Sequence, residues 1–141
     1  MSTSEEDAAL RDALVRMSFE VMSRLTRVAA EEGISLSQLR VLGALRDRRP
    51  RMAELAAGLG LDRSSVTGLV DRAQQRGLVE RTAEEGDARV VRVGLTAEGL
   101  REAERIAERV SGLLADAVVP LSADAKASLS AALEEAFPVS F

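Results

Sequence analysis

The 141-residue chain contains no cysteine, no histidine, no tryptophan and no tyrosine. Without thiols there are no disulfides, no thiol redox sensing and no Cys–His nucleophilic pair; without imidazole, zinc fingers and histidine acid–base chemistry go as well. Aromatics are Phe19, Phe137 and Phe141 alone, too few for the stacking platforms that single-strand binders use. No apolar run approaches the ~18 residues of a membrane span. The opening MSTSEEDAAL is acidic where a secretory signal needs a basic start and an apolar stretch, so the expected compartment is the cytoplasm.

What remains is 46% hydrophobic and 30% charged, the composition of one compact domain with a real core. Net charge is −4, unfavourable at first sight for a nucleic-acid binder. Its distribution matters more. Residues 1–45 carry 5 basic and 7 acidic side chains, residues 46–92 carry 10 and 8, and residues 93–141 carry 4 and 8. Only the middle third is net positive, through Arg46, Arg48, Arg49 and Arg51 and then Arg63, Arg72, Arg76, Arg81, Arg89 and Arg92.

Apolar positions Leu10, Leu14, Met17, Val21, Leu25 and Val28 step by three and four, predicting a long amphipathic helix, with a capping box at Thr3 and Glu6 and a stop at Gly33. Ser35 and Gln38 read as a second capping box, opening a helix through Leu39, Leu42 and Leu45 that ends in the Asp47–Arg51 turn. A short helix with Met52, Leu55, Ala56 and Leu59 on one side ends at Gly60, and Asp62 caps another over Arg63 to Arg76. The period then becomes strand-like: Leu78–Arg81 and Arg89–Val93 flank a polar tip, Ala83 to Ala88, as in a hairpin. Thr96 caps a long helix with Leu100, Ala103, Ile106, Val110, Leu113 and Ala117 on one face, Pro120 ends it, and a last helix runs from near Ser122 to Phe137, leaving Pro138 to Phe141 as a tail. The two terminal stripes exceed what a small central domain can cover, which points to a second chain.

Met52 to Arg72 fits a helix-turn-helix wherever packing dictates residue type. Ala56 is small at the crossing, Gly60 permits the turn, Val66 plugs the angle, and Leu55, Leu59, Leu61 and Leu69 fill the shared core. With Val66, Leu69, Val70 and Ala73 inward, the outward set includes Arg63, Ser64, Ser65, Thr67, Gly68, Asp71 and Arg72. Short hydroxyls and a glycine allow close approach to a major-groove floor, where Arg63 reaches guanine or a phosphate; first-turn capping alone also accounts for Ser64 and Ser65. In a following wing, Asp87 and Arg89 lie on one side of a strand, so that Asp87 orients Arg89 toward a minor groove, while Arg81 and Arg92 meet phosphates. Glu84 and Glu85 at the tip oppose that by repelling the backbone. With Asp87 they lack the turn geometry and the further ligand of a metal site.

Taken together, LAAGLGLDRSSVTGLVDRAQQRGLVERT, GDARVVRVGLT, Thr96-Ala97-Glu98-Gly99 and the flanking long helices resemble the multiple-antibiotic-resistance regulator (MarR) family of winged-helix transcription factors over about residues 7 to 137. The resemblance implies an obligate homodimer tied by its terminal helices, binding a pseudo-palindromic DNA operator and repressing nearby genes. It also implies a small molecule entering the cleft between dimer helices and winged domain and weakening DNA binding. Asp87 and Arg89 match the family's wing Asp and minor-groove Arg, and Arg63 to Thr67 its base-reading segment. Ala88 stands where a second basic residue is common. Arg51 stands where a Ser or Thr commonly caps, which predicts a frayed helix start worth about 1 kcal/mol. The family's cysteine-based peroxide sensing and histidine-based zinc sensing have no residues here.

The expected architecture is therefore mainly α with a small β-hairpin wing: a winged helix-turn-helix lobe over 35–95, with dimerising helices over 5–33 and 96–138. The expected DNA-contacting set is Arg63, Ser64, Ser65, Thr67, Arg72, Arg81, Asp87 and Arg89, with no catalytic group, cofactor or metal. An effector cleft would be lined by Leu, Val, Ala and Met, with an arginine such as Arg16 or Arg24 available for an anionic or aromatic ligand. The competing reading is a winged-helix module for protein contact in which DNA binding is lost.

Overall fold

The computed structural model describes residues 2–138 and contains six helices and one antiparallel hairpin. They follow in the order α1 (Thr3–Glu31), α2 (Leu36–Leu45), α3 (Met52–Leu59), α4 (Arg63–Gln75), β1 (Val79–Glu84), β2 (Asp87–Leu95), α5 (Ala97–Val118) and α6 (Ala123–Ala136). This is the expected helical fold with a small wing. No helix among the described residues is long and apolar enough to cross a membrane.

Local capping chemistry sets most boundaries. Side-chain oxygens of Ser35, Asp62, Thr96 and Ser122 accept from the backbone N–H three residues on, satisfying first-turn donors of α2, α4, α5 and α6. Gly33, Gly60 and Gly77 close α1, α3 and α4 in the left-handed region that L side chains avoid. Three expectations at helix starts are corrected. The α1 box pairs the Ser2 N–H with Glu5 at 2.9 Å, one residue ahead of the Thr3–Glu6 pair. Gln38 does not cap α2: its Nε2 donates instead to the Leu69 carbonyl of α4 at 2.9 Å, in the core. The start of α3 is not frayed, because Glu54 receives the Arg51 N–H at 3.1 Å and Arg51 forms an isolated β-bridge with Arg92.

Two apolar clusters organise the chain. The first joins α2, α3, α4 and the hairpin through Val41, Leu45, Leu55, Val66, Val70, Val79 and Val93, with Ala56 at the helix crossing and Leu61 packed alongside. The second joins α1, α2 and α5 through Val28, Leu42, Leu78, Ala103 and Ile106. The α1 stripe is thus divided: Val28 is buried against α5 within the chain, whereas Leu10 and Met17 are exposed, as are Phe19 and Met22 outside the stripe, Phe19 at 68%. No residue of α6 is buried.

Ion pairs lock α1 to α5. Glu32, with only 11% of its side chain exposed, accepts from Arg105 at 2.5 Å and also from Arg109, which reaches Glu31 as well. The Arg105 hydrogen bond, followed by the weaker help of Arg109, lowers the Glu32 pKa to about 2. At the other end of α5, Gly99 lies against the backbone of Leu78, where an added Cβ would overlap the Leu78 carbonyl oxygen.

Two outcomes follow. Gly99→Ala forces α5 away from the hairpin, so it lowers stability by about 1–3 kcal/mol, seen as a fall in melting temperature of roughly 3–10 °C. Glu32 has its folded pKa below the unfolded value of 4.5, so its pairing stabilises the fold above pH 4.5 and that stability is lost as pH falls toward about 2. Melting followed by circular dichroism should show Glu32→Gln less stable than wild type at pH 7, the gap closing between pH 4.5 and pH 2.

Candidate nucleic-acid interface

The recognition-type helix α4 presents a short polar end built on Asp62. The Asp62 carboxylate accepts from the Ser65 N–H at 2.8 Å, the Ser64 hydroxyl at 2.7 Å and the Ser65 hydroxyl at 3.0 Å. Led by that backbone N–H, these bonds bring its pKa down to about 2. The hydroxyl protons of Ser64 and Ser65 are therefore engaged by the cap, so the capping role is observed; both residues are exposed, and each oxygen keeps acceptor capacity. Thr67 Oγ1 donates to the Arg63 carbonyl at 2.8 Å, the local back-bond of a helical threonine. Arg63 is exposed and enters no ion pair among the described residues. Arg72 lies back over Gly68, its Nη1 3.4 Å from where a Cβ would stand, so this glycine makes room for a guanidinium on the helix surface.

The wing is longer than expected, with a shorter tip. Ala83, Glu84, Asp87 and Ala88 belong to the strands, leaving only Glu85 and Gly86 in the turn. The register is regular from Val79↔Leu95 to Ala83↔Val91 and then jumps to Glu84↔Asp87. That bulge leaves Ala88, Arg89 and Val90 without direct partners and turns their strand outward. The Asp87–Arg89 expectation matches the geometry: Asp87 Oδ1 accepts from the Arg89 N–H at 3.1 Å and from its Nε at 3.2 Å, with the Arg89 side chain 92% exposed.

Arg81 and Arg92, expected at phosphates, are held within the protein. Arg81 Nη2 pairs with Asp71 on α4 at 2.6 Å and its Nη1 with Gln74, bracing the wing against the helix. Arg92 pairs with Glu84 and donates to the Arg49 carbonyl at 3.1 Å. Glu84 is accordingly not a free carboxylate at the tip. The pairing of Arg51 and Arg49 is not expected from the sequence: Arg51 pairs with Glu84 at 3.2 Å, while Arg49 covers Gly94 and pairs with Glu80 at 3.1 Å. Nothing local in the sequence signals these contacts, which span 31 and 33 residues.

Between α3, α4 and the wing runs a groove of about 370 Å³ lined by Arg51, Arg63, Thr67, Arg81 and Arg89. It gathers four of the expected DNA-contacting residues and adds Arg51; Ser64 and Ser65 lie at the N-terminal end of α4, and Arg72 two turns further along. A second cavity, about 280 Å³, lies among α1, α2 and α5 and is walled by Leu25, Leu39, Leu42, Ile106 and Val110. Its arginine is Arg46; of the two arginines named from the sequence, Arg16 is exposed on α1, and Arg24, which donates to the Leu113 carbonyl at 2.9 Å, lies beside Val21 and Val110 where α1 meets α5.

A helix-turn-helix followed by a wing, with arginines converging on the groove between them, defines a winged helix-turn-helix protein of the nucleic-acid-binding kind. Residues 32–90 match the model of the MarR family. The HTH-type transcriptional regulator PecS of Dickeya dadantii is 30% identical over 124 residues, covering 85% of this chain and 75% of PecS. Two solved structures are similar over nearly their whole length. A mutant MarR of E. coli complexed with operator DNA has TM-score 0.72 and 26% identity, covering 98% of this chain and 100% of that one. CouR of Rhodococcus jostii bound to p-coumaroyl-CoA has TM-score 0.76 and 26% identity, covering 89% and 90%. The chain belongs to the MarR family of transcriptional regulators.

Proposed function

We propose that the protein is a homodimeric, sequence-specific DNA-binding repressor of the cytoplasm whose grip on its operator is relieved by a small apolar anion. The observation that carries this reading is the arginine-lined groove between α4 and the wing, with the exposed Ser64 and Ser65 at the N-terminal end of the same helix. In a major groove those oxygens are acceptors for the exocyclic amines of cytosine or adenine, with Arg63 beside them for guanine or phosphate and Arg72 for the backbone. Arg89, held by Asp87 at the outer edge of the wing, reaches the adjoining minor groove. Arg81 acts by positioning, since its guanidinium ties β1 to α4. The operator-bound relative supports DNA as the partner, and CouR supports a ligand. For this chain the ligand site is the 280 Å³ cavity, with Arg46 and Ser111 as polar groups in an apolar wall. No catalytic group or cofactor is required.

The dimer face comprises α1 as far as Met22 together with α6, where Phe19, Met22, Leu129 and the C-cap Phe137 are exposed. Residues 35–95 form the reading lobe, while 5–33 and 96–138 carry dimerisation. Static light scattering of the full chain at micromolar concentration should return twice the 15.1 kDa chain mass, and a well-folded monomer would overturn this assignment.

Operator binding is tested by selecting fragments from the source genome and measuring anisotropy of a labelled duplex across a salt series. Half-site centres about 10 bp apart and an affinity falling steeply with salt are expected. Arg89→Ala should weaken binding by about 1–3 kcal/mol at unchanged melting temperature. Wild-type affinity in that variant removes the wing from recognition, and absence of duplex binding favours the protein-contact reading.

A further inference from the structure

One arginine of the groove, Arg51, is paired with a carboxylate of the wing. Glu84, at the wing bulge and only 26% exposed, accepts from Arg92 Nη2 at 2.5 Å and Nε at 3.1 Å, and from Arg51 Nη2 at 3.2 and 3.4 Å. One carboxylate thus engages two guanidinium groups brought from two elements, the start of α3 and the middle of β2. The register explains the placement. Arg92 faces Thr82, and Glu84 lies two residues beyond Thr82 on the same strand face, a diagonal neighbour of Arg92. The Arg92 hydrogen bond, with the Arg51 charge beside it, holds the Glu84 pKa below the usual carboxylate range. The group is therefore ionised whenever DNA is present. A carboxylate forked between guanidinium groups has the charge and acceptor geometry of a backbone phosphate. Arg51 lines the same groove as Arg63, Arg81 and Arg89. Glu85, the next residue, is exposed in the turn and enters no ion pair among the described residues.

We propose that Glu84 is an internal competitor for the DNA backbone, occupying Arg51 and Arg92 in the free protein and giving way to phosphate on the duplex. The inference rests on the DNA-binding reading above. It has a specific consequence for salt dependence. Each phosphate neutralised by an arginine releases its condensed cations, but a phosphate that replaces the carboxylate leaves that carboxylate unpaired and drawing cations in its turn. Affinity is held down, and the salt slope is shallower than the number of groove arginines implies. Glu84 then sets how tightly the protein holds any duplex, specific or not.

The test compares full-length wild type, Glu84→Gln and Glu85→Gln on a labelled random-sequence duplex over a salt series, with melting temperature checked for each. Glu84→Gln is expected to bind about 3-fold tighter or more at fixed salt. Its slope of log affinity against log salt should steepen by about 1–2. Glu85→Gln removes the same formal charge without releasing an arginine, and its slope should stay at the wild-type value. In an Arg51→Gln background the gain from Glu84→Gln should shrink, because one of the two released groups is gone. Unchanged or weaker binding by Glu84→Gln overturns the proposal and makes Glu84 a brace for the wing. Equal gains from Glu84→Gln and Glu85→Gln also overturn it, by reducing the effect to net charge. If neither wild type nor Glu84→Gln binds any duplex, the DNA-binding reading itself falls and the competitor falls with it.

Discussion

The structure depends on one crowded junction at the foot of the wing. Thr96 donates its hydroxyl to the Gly77 carbonyl at 2.7 Å, its N–H to the Leu78 carbonyl at 3.0 Å, and accepts from the Gly99 N–H at 3.0 Å. Gly99, having no Cβ, lets the first turn of α5 settle onto Leu78. Within these few residues the end of α4, the start of β1, the end of β2 and the start of α5 are tied to one another. Leu78 belongs to the cluster with Val28, Ala103 and Ile106, and its neighbour Val79 to the cluster with Val66 and Val70. The reading lobe and the long helices therefore share a joint with little slack, and the orientation of α4 relative to α5 is set by backbone contact more than by side-chain choice.

The basic surface is built from compensated charge. Asp71 holds Arg81, Asp87 holds Arg89, and Glu84 holds Arg51 and Arg92. Each carboxylate fixes a long, flexible side chain in one place and reduces the rotamer entropy still to be lost when a partner arrives. It also subtracts from the positive field. The net charge of −4 is thus compatible with a basic groove, since the acidic side chains of the outer helices lie elsewhere.

Element order and most boundaries were legible in the sequence because their causes are local. Asp62, Thr96 and Ser122 cap from fixed offsets, glycines stop helices, and the 3.6-residue period names the buried faces. The Asp87–Arg89 pair, two residues apart, was legible for the same reason. What escaped was decided across the chain. Gln38 has both a local capping role and a distant carbonyl within reach, and the buried carbonyl of Leu69 wins because an interior amide without a partner is more costly than a solvent-exposed helix start. Glu84 read as tip repulsion because its partners Arg92 and Arg51 lie 8 and 33 residues away and meet it only through the pairing of β1 with β2 and the packing of α3 on the wing. That Arg46 lines the inner cavity was not legible either, because it follows from the packing of α2 against α5 and from no local pattern.

The last helix has a further meaning. α6 is 14 residues long and has no buried residue, while its end residue Phe137 is 62% exposed. A helix of that length is marginal in water on propensity and capping alone. Anything that binds the folded helix and not the unwound one would therefore add directly to its order. An apolar partner laid on this face would raise the helicity of the terminus without touching the core.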